Sequence, residues 1–468
     1  MSHFHLSATD LAMQYQSGDL SPVDVTEQIL DRAVRLNEKL NAFRVIDADT
    51  ARLQAKKSEK RWQEKIPLGP LDGVPISIKD IVHVKGHACV SGSKTNDAAR
   101  LMENDCPSVA RLREAGAVLF GLTHTPEFGW KGITDSPAFG YTRNPWNSDH
   151  SSGGSSGGAG SATAAGIGPL ALGTDAGGSV RIPASYCGIF GIKPTFGRVP
   201  HAPNESPYAT LASVGPLSRT VKDAAAMLSI MSKRDSRDWY AAANPGIDFT
   251  KSLNKSIKGL KIAYSSGLGG TNPTPEIKGQ MGEAVRRLET LGAQITEIDG
   301  LFSPLRPIFE DYWKAGFGYI LRQIPREKWE LLDPGFLKLA EEGLSVTIET
   351  YYDAASARVK LGAHIEQFFD QYDLLITPTM PSTAPRADTL YHSADFDRWD
   401  DATPYTVPFN LTGHPAASIP IGRSKAGLPI GMQIVGARFQ EQTILQAAHA
   451  YEAVSDQPAL LNTLIEGL

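Results

Sequence analysis

Residues 151–160 read SSGGSSGGAG: four serines, five glycines and one alanine. Such a run is either a flexible tether between domains or a backbone shaped for unusual angles and close approach to a ligand. What lies on either side decides between them. The strand-like GPLALGT (168–174) follows almost at once, and short apolar runs punctuated by Gly and Pro continue on both sides. A tether separates self-contained units, whereas here one texture runs through, so the segment belongs inside a single α/β unit.

Working outward, GVPISIKDIV (73–82), LFGLTH (119–124), GPLALGT, GLKIAYS (259–265), AQITEID (293–299), YDLLITPT (372–379), AASIPIG (416–422) and PIGMQIVG (429–436) read as buried strands. PSVARLREAG (107–116), KGQMGEAVRRLETLG (278–292) and EQTILQAAHAYEAV (441–454) have helical spacing. Strands alternating with helices predict an α/β fold, a sheet covered by helices. Residues 1–66 read instead as an N-terminal helical region packed on a unit spanning 67–468. Within it Ser21-Pro22-Val23-Asp24 is a helix start, with an N-cap, a first-turn proline and an acidic third residue.

The chain has 468 residues, 41% hydrophobic and 21% charged, with a formal net charge of −5. That balance, with no basic cluster, argues against nucleic acid as a partner. No apolar run approaches the ~20 residues of a membrane span, and the N-terminus lacks the basic and apolar regions of a secretory signal. Three cysteines without CxxC spacing suit a reducing compartment, so a cytoplasmic protein is expected.

Several catalytic motifs can be tested. Gly153–Gly157 matches G-x-S-x-G around Ser155, but that elbow needs a strand directly before it, and RNPWNSDHSS (143–152) is polar and turn-rich. There is no HExxH, Cys/His cluster or phosphate loop, so neither metal nor cofactor is expected. In LGTDAGGSVRIPASYCGIFGIKPT (172–195), Ser179 follows Gly177-Gly178 just after a strand-like run. Successive amides with small side chains could converge there on one oxygen, as an oxyanion hole requires. A hydroxyl needs a base, and Lys79, ending an apolar strand, becomes a neutral amine if buried. Taken singly, Lys79 is also readable as an exposed strand end, Ser155 as a turn hydroxyl and Ser179 as a helix cap.

Together these islands resemble the amidase signature family over nearly the full length. The matching stretches are GPLDGVPISIKD (69–80), NPWNSDHSSGGSSGGAGSA (144–162) and LALGTDAGGSVRIPASYCGIFGIKPT (170–195), with DLLITPTMPSTAP, PFNLTGHPAASIPIG and GLPIGMQIVG towards the C-terminus. The resemblance implies a mixed, twisted β-sheet covered by α-helices on both faces. It also implies a triad: Ser179 as nucleophile, Ser155 as bridging hydroxyl on a cis peptide, and Lys79 as base and later acid. Backbone amides of Ala176, Gly177, Gly178 and Ser179 would form the oxyanion hole, with Asp175 and Arg181 bracing the loop. The expected reaction is hydrolysis of a small carboxylic amide through an acyl-enzyme.

One branch of that family is the glutaminase component of the tRNA-dependent amidotransferase. Arg358 resembles that branch's arginine for the glutamine carboxylate, whereas Thr403 stands where a companion aspartate is usual and GLTH ends at His124. Eight aromatics fall within residues 302–336, suggesting an apolar pocket wall or lid formed by a helical insertion at 300–345. Helix packing or contact between two copies of the chain reads the cluster equally well, and a homodimer stays open. Gly129, Trp130, Tyr312, Trp313 and Phe317, with Arg358, are the expected substrate-side residues. A stand-alone amidase, rather than the amidotransferase glutaminase, is the favoured reading. A Ser-His esterase and a carbamate- or urea-cleaving enzyme are the remaining alternatives.

Overall fold

Strand formation follows the Gly/Pro-punctuated apolar runs. In the computed structural model, which describes residues 3–203, 210–243, 246–268, 270–302, 305–389 and 403–468, thirteen strands are found. They are β1 (Phe43–Ile46), β2 (Pro75–Lys79), β3 (Val118–Thr123), β4 (Asp135–Ser136), β5 (Gly140–Tyr141), β6 (Leu170–Asp175), β7 (Phe190–Lys193), β8 (Ser213–Ser218), β9 (Lys261–Tyr264), β10 (Gln294–Glu297), β11 (Leu374–Pro378), β12 (Ala416–Arg423) and β13 (Pro429–Gly436). Eleven form one sheet in the order β1-β3-β2-β6-β8-β7-β12-β13-β11-β9-β10, and β4 and β5 form a separate hairpin. β2 runs parallel to β3 and β6, β9 to β10 and β11, and the remaining neighbours are antiparallel. The sheet is therefore mixed.

Every residue of β2, β3, β11 and β13 is buried, which requires cover on both faces. The period-2 alternation of strands sorts their side chains between two cores. Leu170, Leu172, Leu374 and Ile376 join the large core with Ile76 and Ile78. Ala171 and Leu375 point the other way, into smaller clusters with Leu217 and with Phe409. Among the described residues no helix is long and apolar enough to cross a membrane.

All eight sequence-predicted strands are present, although β10 is a largely exposed edge strand where a buried one was expected, and the helices Pro107–Glu114, Pro275–Thr290 and Glu441–Glu452 match their predicted runs. β1, β4, β5, β7 and β8 escaped the reading; β4 and β5 are only two residues each. β7 and β8 are interrupted by glycine or proline (FGIK, SVGPLS), and β1 is four residues long. The N-terminal region is not wholly helical, since β1 is the edge strand beside β3. The predicted helix start is observed: Ser21 caps Pro22–Leu40, its hydroxyl accepting from the Val23 N–H.

Residues 306–343 form the helices Arg306–Arg322 and Pro334–Gly343, which pack with Ile348–Phe368 around a core of their own. The first two approach backbone to backbone at Gly318 and Gly343; a Cβ on Gly343 would collide with the Lys314 carbonyl oxygen. Gly343→Ala adds at most about 1 kcal/mol of helix propensity but forces the pair apart, an overpacking cost of typically 1–3 kcal/mol. Net destabilisation is expected, read as a lower urea midpoint.

Candidate active site

β2 and β6 are parallel neighbours with Ile78 opposite Leu172, so their C-terminal ends lie side by side. That edge is where open α/β sheets place their ligands. Lys79 is the last residue of β2 and Asp175 the last of β6. Lys79 Nζ lies 2.6 Å from Ser155 Oγ and 2.9 Å from Thr174 Oγ1. The lysine is completely buried, and desolvation lowers its pKa to about 7, against the pull of the Asp175 carboxylate. At neutral pH it is substantially an uncharged amine in contact with a hydroxyl.

Ser155 is held from three sides. The Gly154–Ser155 peptide is cis. Gly154 has no room for a side chain, because a Cβ would stand 2.6 Å from the Ile133 backbone. Gly129 lies so close that a Cβ there would meet Ser155 Oγ at 3.1 Å. The serine-glycine run then enters the helix Gly157–Ala164, in which every residue is buried. The run is thus packed into the core and is no tether. Ser156 N–H donates to the Ser179 carbonyl at 3.2 Å, seating the Ser179 backbone beside Ser155.

The loop from Asp175 to Arg181 is organised by one ion pair. Arg181 donates from Nε and Nη2 to the two Asp175 oxygens, each at 2.9 Å. Its remaining donors reach the Thr406 carbonyl (2.9 Å), Gln433 Oε1 (2.7 Å) and Asn410 Oδ1 (2.5 Å). Both partners are fully buried. Burial alone would raise the Asp175 pKa, but the charge and hydrogen bonds of Arg181 outweigh it and hold the carboxyl well below the usual range. Asp175 in turn accepts the N–H groups of Gly178 (2.8 Å) and Val180 (3.1 Å). The Gly178 amide is therefore engaged and unavailable to a substrate oxygen, a correction to the expected set of four. Gly178 still has to be glycine: its φ is +131°, and a Cβ would collide with Thr406.

The other predicted residues fall as follows. Trp130 and Trp313 touch, the Trp313 indole donating to the Trp130 carbonyl at 3.2 Å, and both are buried with Tyr312 and Phe317 in the insertion's core. Ala176, in the Asp175–Arg181 loop, packs against the cluster that contains that core. Arg358 donates to the Leu411 carbonyl and to Thr210 Oγ1 and O, with its guanidinium 5.2 Å from the centre of the Tyr312 ring. His124 is buried against Phe139, and burial lowers its pKa to about 4. Among the described residues no hydrogen bond joins Ser155 or Ser179 to a histidine.

Sequence reading missed Thr174, Thr406, Asn410 and Gln433. Asn410 and Gln433 lie within the quoted PFNLTGHPAASIPIG and GLPIGMQIVG, but nothing in those stretches says that they point at Arg181. A second buried lysine, Lys193, was also missed. Burial lowers its pKa to about 7 as well, and it donates to the Pro194 carbonyl.

This arrangement belongs to the hydrolases that cleave amide C–N bonds. A sequence model of the Amidase family matches residues 24–445, and the chain belongs to that family, the amidase signature enzymes. It is 34% identical over 456 residues to an acylamidase of Rhodococcus erythropolis, covering 96% of this chain and 95% of the relative. It is also 34% identical over 470 residues to a glutamyl-tRNA(Gln) amidotransferase component, the A-type polypeptide of Synechococcus sp. (strain CC9605), covering 94% of each. Among solved structures, a bacterial aryl acylamidase superposes with a TM-score of 0.91 at 29% identity over 98% of both chains. A 6-aminohexanoate cyclic dimer hydrolase superposes at 0.90 and 28%, covering 99% of this chain and all of that one.

Removing Arg181 strands a buried carboxylate. Arg181→Met is expected to cost about 3–5 kcal/mol. Arg181→Lys recovers only part of this, because three donors cannot reach five acceptors. Urea unfolding of the three proteins measures the ranking.

Proposed function

We propose that the protein is a stand-alone amidase for amides with an apolar acyl group, acting through a Ser179 acyl-enzyme. The observation that carries this reading is the buried Lys79 amine 2.6 Å from Ser155 Oγ, with a pKa brought down to about 7. Ser179 Oγ attacks the amide carbonyl carbon while its proton passes through Ser155 to neutral Lys79. The N–H groups of Ala176, Gly177 and Ser179 receive the developing oxyanion, in a site where fixed donors are worth far more than in water. As the C–N bond breaks, Lys79 returns the proton through Ser155 to the departing nitrogen, which leaves as a neutral amine or ammonia. Water then cleaves the ester, with Lys79 again as base, releasing the acid and Ser179.

The partner of this chemistry is a small-molecule amide, and the cytoplasm is where we place it. Whether the chain acts as a homodimer bears on none of these steps. The glutaminase reading has a specific observation in its favour, the similarity to the amidotransferase polypeptide. Against it, Arg358 already directs three N–H groups to Leu411 and Thr210, and Thr403 offers no carboxylate. An amino-acid head group buried without paired contacts is costly, whereas an aromatic acyl chain gains about 25 cal/mol per Å² of apolar area buried.

The pH dependence follows from the sign of the lysine titration. Lys79 acts when deprotonated, so kcat/KM rises through about pH 7 and levels off above it. Lys193 titrates in the same range, so two variants separate them. Lys193→Met keeps the limb, while Lys79→Ala abolishes amide turnover and spares more of the hydrolysis of an activated ester.

Substrate class is tested with purified protein given an anilide, an aliphatic amide and glutamine, with no other chain present. The anilide is expected to turn over fastest, and a sulfonyl fluoride to label Ser179, with neither result in Ser179→Ala. Fastest turnover of glutamine, or activity only with amidotransferase partner chains, supports the glutaminase instead.

A further inference from the structure

The segment from Glu127 to Ser136 forms the backing of Ser155 through Gly129 and, through Ile133, of Gly154. The same segment carries Glu127, Lys131 and Asp135, turned largely away from solvent. Lys131 Nζ lies 2.5 Å from Asp135 Oδ1 and 2.9 Å from Asp333 Oδ2. Asp333 begins the second helix of the insertion, its other oxygen accepting the N–H groups of Gly335 and Phe336 at 2.9 and 3.2 Å. Its own N–H donates to Glu127 Oε2 at 2.6 Å, and Ser93 donates to Glu127 Oε1 at the same distance. Apolar contacts accompany the charges, with the Phe128 and Phe336 rings 5.1 Å apart.

Stability alone does not account for such a cluster. A buried ion pair is commonly no more stabilising than apolar residues of similar volume. What it adds is a fixed separation, since short directional contacts tolerate sliding far less than ring-on-ring packing does. Here the fixed separation lies between the backing of Ser155 and the insertion helices, whose core Ala176 also packs against.

We propose that the Lys131–Asp333 pair, with Asp135 and Glu127, is a specificity-determining clamp that holds the helical insertion at a set distance from the Ser155–Ser179 centre and so sets the width of the acyl pocket. These are positioning residues: none touches Ser155 or Ser179 by a hydrogen bond. The proposal rests on the amidase reading above. Loosening the clamp moves the wall that a bulky acyl group must fit, and a displacement of about 1 Å can cost up to a hundred-fold in rate. A small acyl group does not reach that wall.

The test uses two anilides with the same leaving amine, acetanilide and benzanilide, and the wild-type, Asp333→Asn and Lys131→Arg proteins. Asn keeps an oxygen to cap the helix but removes the charge facing Lys131. We expect Asp333→Asn to lower kcat/KM for benzanilide relative to acetanilide by about ten-fold, mostly through KM. Lys131→Arg, which keeps the charge facing Asp333, should keep the wild-type ratio. A folded Asp333→Asn with unchanged selectivity, or one slowed equally on both substrates through kcat, overturns the clamp. If Asp333→Asn does not fold, Glu127→Gln is measured against the same ratio and decides in its place. A wild type inactive on both anilides overturns the amidase reading and the clamp together, whereas an active wild type with indifferent variants overturns the clamp alone.

Discussion

Burying a guanidinium costs least when all five of its donors find acceptors, and the site is arranged so that Arg181 meets five. Its acceptors come from the end of β6 (Asp175), from Thr406 and Asn410 at the helix Val407–Leu411, and from Gln433 on β13. Segments more than 200 residues apart are thereby fixed relative to one another. Asn410 completes the network by donating from Nδ2 to the Asp175 carbonyl and carboxylate, each at 2.9 Å. The Ser179 loop is suspended between these anchors, and its Gly178 and Val180 amides serve the scaffold by donating to Asp175.

Lys79 shows how burial turns a poor base into a usable one. Two effects oppose each other there: desolvation disfavours the ammonium and the nearby Asp175 favours it, and desolvation wins. Arg181 matters here as well, because a carboxylate already neutralised by its own ion pair has less to offer a second cation. Lys193 is buried as deeply and lowered as far, yet its amine meets a backbone carbonyl. The same perturbation leaves one amine facing a hydroxyl and the other a carbonyl, which has no proton to give.

The insertion illustrates the difference between composition and role. Its aromatic density marks an unusual region, but Phe309, Phe317 and Phe336 are interior residues holding helices together. What reaches the centre is the edge of that core, through Ala176, Phe128 and Trp130. The position of that edge depends on packing and on buried charge more than on any single aromatic side chain.

Much of this was legible in the chain. Strands such as β2, β3, β11 and β13 were readable because a strand buried on both faces is a largely apolar run bounded by Gly and Pro, and that pattern is local. Lys79, Ser155 and Ser179 each had an ordinary structural reading when taken singly, and only the resemblance to the family joined them into one expected site. β1, β4, β5, β7 and β8 were not, because their short or interrupted sequences are strands only by virtue of the neighbours that pair with them. Thr174, Thr406, Asn410 and Gln433 were equally silent: a hydroxyl or amide acquires a role only when folding brings it within about 3 Å of a partner. The engaged state of the Gly178 amide and of Arg358 likewise depended on acceptors that only the fold supplies. The sequence by itself determined the α/β pattern and which side chains could do chemistry; the tertiary structure decided which of them are buried and what each faces, because desolvation and hydrogen bonding are properties of surroundings that distant segments create.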